Sequence, residues 1–168
     1  MRIVLVLIIA ILFAGLTLKV QDKSNELKWY SFSEGLKIAQ AEKKKVLIDV
    51  YTDWCEWCKK MDEEVYTDSK VKNYLGSKFV LIKLNAESET KHTFEGREYS
   101  EMELAYIFGV EGFPTTIFIR EDMQPITAVP GYFPAEVFMK ILTFIGDDYY
   151  LKMSFDDYLE KTGGLPKN

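Results

Sequence analysis

Val46-Leu47-Ile48-Asp49-Val50-Tyr51-Thr52-Asp53-Trp54-Cys55-Glu56-Trp57-Cys58 is the stretch on which the fold turns. Residues 46–51 are a short apolar, β-branched run, which suits a strand buried on both faces. From Cys55 to about Tyr66 the composition is helical, with no Gly or Pro. The two cysteines therefore stand where a buried strand gives way to a helix. Free backbone N–H groups and the helix dipole favour negative charge at that point. A thiolate at Cys55 would be stabilised there, and the thiolate is the reactive form. Cys58 lies one helical turn on, so the two sulfurs can meet on one face. A cycle follows in which Cys55 attacks a substrate disulfide, a mixed disulfide forms, and Cys58 resolves it.

Two plainer readings compete. A structural Cys55–Cys58 bridge would close only a four-residue loop and restrain the unfolded chain little. Half of a zinc site would need four Cys or His ligands. The chain has two Cys and one His, His92, which lies far along in a polar stretch and reads as a surface residue. No metal site is expected, and no cofactor beyond the two thiols.

Outward from this centre, elements alternate. Ser31-Phe-Ser-Glu34 has capping-box spacing and predicts a helix to about Glu42. Asp68-Ser69 can cap a short helix ending near Gly76. Residues 79–84 form a second buried-type strand, and residues 93–99 a small hairpin around Gly96. A helix over Glu101–Phe108 is stopped by Gly109. Two strands follow, Thr115–Arg120 and Ile126–Val129. Pro134 suits the first turn of a helix to about Ile145. Residues 147–161 add further short helices, and Gly163-Gly164 begins a tail. Such alternation implies an α/β fold, a central sheet covered by helices.

With 48% hydrophobic and 28% charged residues over 168 positions, the chain suits one globular domain rather than two. From Ile3 to Leu18 no residue is charged, and Arg2 and Lys19 flank the run. Residues 1–20 read as a signal peptide or a short membrane tether, 21–28 as a linker, 29–146 as the domain, and 147–168 as a C-terminal extension. Gly15 and Thr17 make a passable cleavage site, and the run is shorter than the ~20 residues that span a bilayer; cleavage and retention both stay open. Without Arg2 and Lys19, 19 basic side chains face 26 acidic ones, a formal charge of −7. No Lys/Arg stripe stands out, so nucleic acid is not an expected partner.

The sequence resembles the thioredoxin superfamily over about residues 30–145. Leu47-Ile48-Asp49-Val50 with Trp54-Cys55 is similar to that family's first core strand and active-site turn. Lys83-Leu84-Asn85 is similar to the end of its next strand, Gly109-Val110-Glu111-Gly112-Phe113-Pro114-Thr115 to its cis-proline loop, and Gly131 to a glycine after its last strand. Among its members the chain looks most like exported bacterial thioredoxins of the SoxW type or the DsbD C-terminal domain. It departs from cytosolic thioredoxins in three places. Glu56-Trp57 replaces Gly-Pro between the cysteines, residues 86–100 look like an insertion before the cis-proline loop, and residues 147–161 extend the C-terminus.

The resemblance implies a mixed central sheet and particular roles. Asp49 would be a buried carboxylate relaying a proton to or from Cys58, with Lys83 paired to it across the strands. Pro114 would follow a cis bond after Phe113 and face the cysteines. With Thr115 it would help bind an extended substrate segment, and Trp54 and Trp57 would flank the site. Glu56 opposes the Cys55 thiolate, and no His lies between the cysteines. The expected activity is therefore reduction of disulfides in exported proteins, fed by a membrane electron donor. A disulfide oxidase or isomerase, or a non-catalytic binding module, are the alternatives.

Overall fold

The computed structural model describes residues 26–165. The expected apolar run and most of the linker lie outside them. Among the described residues no helix is long and apolar enough to cross a membrane.

Strand β1 (Trp29–Tyr30) precedes helix α1 (Phe32–Glu42), and β2 (Lys45–Tyr51) leads to α2 (Glu56–Lys60), which widens into a π-helical turn over Met61–Val65. Helix α3 (Ser69–Lys78) runs into β3 (Phe79–Asn85). A hairpin of β4 (Lys91–Phe94) and β5 (Arg97–Ser100) then delivers α4 (Glu101–Ile107). The domain closes with β6 (Thr115–Ile119), β7 (Pro125–Pro130) and α5 (Ala135–Gly146). A 3₁₀ turn (Tyr149–Leu151) and α6 (Phe155–Lys161) follow. The main sheet has the order β1-β3-β2-β6-β7. β1 and β2 run parallel to β3, whereas β6 lies antiparallel to β2 and to β7. This is the expected mixed central sheet flanked by helices.

The pleat of β2 divides the core. Val46, Ile48 and Val50 join Phe32, Leu36, Ile82, Leu104 and Ile117 in one apolar layer. Leu47 points the other way, into a layer with Met61, Val65, Leu75, Phe118, Phe138 and Leu142. The C-terminal extension docks on the second layer through Phe155, whose ring lies 5.1 Å from Phe144.

Four local expectations need correction. Ser31 occupies the N-cap position of α1 but makes no side-chain cap. The reciprocal capping box instead closes α4, between Ser100 and Glu103. Helix α3 passes through Gly76 and ends two residues later. Trp29–Tyr30 forms an edge strand where none was predicted, and Leu27, within the expected linker, packs against the second layer. His92 is not a surface residue but only 6% exposed. Its ring nitrogens meet Ser33 Oγ at 3.2 Å and Glu101 Oε1 at 3.0 Å, so α1 and α4 cover a residue whose sequence neighbours are polar. The hairpin itself forms as expected, with Glu95 and Gly96 both at positive φ, as a tight two-residue connection requires.

Gly35 is where α1 meets the sheet. A Cβ there would stand 2.3 Å from Ile82 Cγ1, a branch held inside the core rather than a free chain end. Overpacking of this kind costs about 1–3 kcal/mol, which at so short a distance should exceed the ~1 kcal/mol of helix propensity that alanine restores. Gly35→Ala is therefore expected to lower the urea midpoint, and an unchanged or higher midpoint would show that α1 can lift off β3 freely.

Candidate active site

The turn after β2 ends on Cys55, the N-cap residue of α2. Its sulfur accepts a hydrogen bond from the Cys58 backbone N–H at 3.1 Å. That donor is one of the first-turn N–H groups that have no i−4 carbonyl to bond, and it is shared with the Cys55 carbonyl at 3.1 Å. A sulfur therefore occupies the place where a capping oxygen usually sits, and negative charge on it would be stabilised by both the bond and the dipole. Cys55 and Cys58 are joined in a disulfide with their Cα atoms 5.2 Å apart. Both are buried, while the flanking Trp54 and Trp57 are 63% and 55% exposed.

Each tryptophan is anchored on one side of the cysteines. The Trp54 indole donates to Glu87 Oε1 at 2.9 Å and stands edge-on to Phe113, 6.0 Å between centroids. Trp57 lies 5.3 Å from Tyr132, whose hydroxyl donates to Glu64 at 2.6 Å. The Lys60 ammonium sits 5.3 Å from both the Trp57 and Tyr132 rings. Glu56 is turned to Lys59 at 2.6 Å on the exposed face of α2.

The Phe113–Pro114 peptide bond is cis. The Pro114 carbonyl accepts from the Gly131 N–H at 2.8 Å, and Thr115 Oγ1 donates to the Gly112 carbonyl at 2.7 Å. The first bond tethers the loop to the residue that follows β7, and the second closes the loop on itself. Gly131 itself takes a φ of +97°, which only glycine adopts readily.

Asp49 is 1% exposed and faces the second layer. The parallel register places Lys83 opposite it on β3. Lys83 Nζ donates to Asp49 Oδ2 and, at 2.5 Å, to Asp62 Oδ1. Asp49 Oδ1 and the Tyr66 hydroxyl close no hydrogen bond among the described residues. Burial pushes the Asp49 carboxyl up from its ordinary range, because one charged partner on one oxygen does not replace water around the whole carboxylate. Burial works against the Lys83 ammonium, but Asp49 and Asp62 outweigh it and raise its proton affinity. Burial, followed by the Asp49 charge, lifts the Tyr66 hydroxyl well above the usual phenol range.

The expected site residues thus fall into two groups. Cys55, Cys58, Trp54, Trp57, Phe113, Pro114 and Thr115 belong to the β2–α2 turn and the loops beside it. Asp49 and Lys83 form a second group, paired across β2 and β3. Sequence reasoning missed Asp62, Tyr66, Trp29, Glu87 and Tyr132. For Asp62 a signal existed: it stands four residues after Cys58 on the same helical run. The others come together only through tertiary packing. Among the described residues no cluster of His, Cys, Asp and Glu could hold a metal ion.

Residues 32–146 match the thioredoxin-like domain family. The chain belongs to that family. As a thioredoxin-like domain with this cysteine pair, it is a member of a family of thiol–disulfide oxidoreductases. It is 29% identical over 109 residues to the disulfide bond reductase DsbH of Chlamydia pneumoniae, covering 64% of each chain. It is 32% identical over 107 residues to the thiol:disulfide interchange protein DsbD of Yersinia pestis, a match that spans 62% of this chain and 16% of that protein. In both cases the match spans less than two thirds of the relative's own length. A solved thioredoxin-fold protein from Helicobacter pylori superposes with a TM-score of 0.64 at 25% identity, over 72% of this chain and 80% of that one.

The raised Asp49 carboxyl has a consequence for stability. Holding the proton more tightly in the folded state favours folding at pH below the ordinary carboxyl range. That contribution is lost as pH rises through the folded value. Asp49→Asn removes it, so the variant's stability relative to the unsubstituted protein should increase from pH 4 to pH 7. Denaturant unfolding at the two pH values checks this; parallel stabilities would mean that Asp49 titrates normally.

Proposed function

We propose that this protein is a thiol–disulfide reductase acting outside the cytoplasm on disulfides of exported proteins. The observation that carries the reading is the Cys55 sulfur capping α2 through the Cys58 N–H. Reduced, Cys55 would hold its charge there and attack one sulfur of a substrate disulfide. The second substrate sulfur leaves as a thiolate, and a mixed disulfide with Cys55 remains. Cys58 then gives its proton to Asp49 and attacks Cys55 Sγ, expelling the first substrate sulfur. The substrate has gained two electrons and ends as a dithiol after protonation, and the protein is left with the Cys55–Cys58 disulfide. A membrane electron donor would return it to the dithiol.

The direction follows from charge. A dithiol is a weak reductant when extra positive charge stabilises its thiolate. Here Glu56 and Trp57 lie between the cysteines, and the nearby Lys59 is engaged by Glu56. The reductase name of the Chlamydia pneumoniae relative supports the same direction. The apolar run of residues 3–18 supports export or tethering. Trp54, Trp57, Phe113 and the Pro114–Thr115 backbone would receive an extended substrate segment by strand-like contacts.

Removing the resolving thiol tests the cycle. Cys58→Ala is expected to accumulate mixed disulfides on Cys55 with exported proteins, visible as adducts that dithiothreitol releases, while Cys55→Ala yields none. If Cys58→Ala captures no such adducts and binds its partners as the unsubstituted protein does, the domain is an adaptor rather than an enzyme.

A further inference from the structure

We propose that Trp29, from the two-residue edge strand β1, is a positioning residue that holds the Lys83 ammonium against Asp49. The parallel register sets Trp29 opposite Leu81 and Tyr30 opposite Ile82. Alternation along β3 then puts Trp29 on the face that carries Leu81 and Lys83. Lys83 Nζ lies 4.9 Å from the centroid of the Trp29 ring, 5.2 Å from that of Tyr51 and 5.3 Å from that of Tyr66. Three aromatic faces therefore surround one ammonium, and such contacts strengthen as water is excluded. Trp29 is itself fixed edge-on to Tyr66, 4.9 Å between centroids.

The ammonium needs holding because two carboxylates compete for it. Asp49 is interior, whereas the side chain of Asp62 is half-exposed. A lysine stem is flexible and its head strongly hydrated. Without the ring above it, Lys83 would be drawn toward Asp62 and the cleft lined by Glu26, Trp29, Tyr66 and Lys72. Asp49 would then lose the one charge that favours its ionised form. The titratable groups facing the Asp49–Lys83 pair are Tyr51 from β2, Asp62 from the π-helical turn and Tyr66 after it. β6 presents the uncharged Thr116. Glu26 and Lys72 stand at the mouth of the cleft.

This inference rests on the reading that Asp49 exchanges a proton with Cys58, and its test separates the two. In the oxidised full-length protein the cysteines do not titrate, so the Asp49 carboxyl can be followed by ¹³C NMR against pH. Trp29→Leu keeps an apolar cover and removes the π face; Trp29→Met serves if leucine fails to fold, and Trp29→Phe keeps a π face. The Asp49 midpoint is expected to rise by about half a pH unit or more in the leucine or methionine variant. In the phenylalanine variant it should stay close to the unsubstituted value. A midpoint that does not move in Trp29→Leu overturns the inference. A fall overturns it too, because the ring would then act only as a screen against water. Lys83→Met must raise the midpoint further; if it does not, Lys83 carries no influence and the inference fails with it. Separately, if Asp49→Asn leaves unchanged the acid limb of thiol release from a preformed mixed disulfide, the proton-acceptor reading fails, whatever the NMR midpoints show.

Discussion

The side chains of β2 alternate between two apolar layers, and that alternation fixes where a charge on this strand must go. Its neighbours on both edges, β3 and β6, take up its backbone groups, and helices cover both faces. A carboxylate at Asp49 is thereby taken out of water, with Lys83 on β3 and the uncharged Thr116 on β6 in register beside it. The same strand ends in the turn that presents Cys55 at the start of α2. One strand thus sets two features of the site: a sulfur on a helix N-terminus after its end and a buried carboxyl group within it.

The rest of the fold serves to keep these two features in place. The loop from Phe113 to Thr115 is pinned by Gly131 and Gly112, and each flanking tryptophan has its own aromatic and carboxylate partner. Exposed aromatic surface thus lies beside a buried disulfide. The π-helical turn after α2 buries Met61 and Val65 while Asp62 stays half-exposed beside Lys83.

Much of this is legible in the sequence. The Cys55–Cys58 pair, the buried-type strands, the hairpin around Gly96 and the Asp49–Lys83 pairing all follow from local pattern or from the family resemblance. What escaped was decided by packing. Ser31-x-x-Glu34 and Ser100-x-x-Glu103 carry the same capping signature, yet only the second closes a box. His92 looked solvated because its sequence neighbours are polar, but the residues that bury it come from α1 and α4. Trp29–Tyr30 is too short to show any periodicity, so its role beside Lys83 is visible only once β1 is seen against β3.

As the proposed reductase, this dithiol would give electrons away rather than take them. Equilibrating the full-length protein with glutathione redox buffers and scoring the Cys55–Cys58 disulfide by thiol alkylation measures this directly. A reductase is expected to show a potential near the ~−270 mV of thioredoxin. A value near the ~−120 mV of a strong disulfide-forming oxidant would contradict it and make disulfide formation the activity of this site.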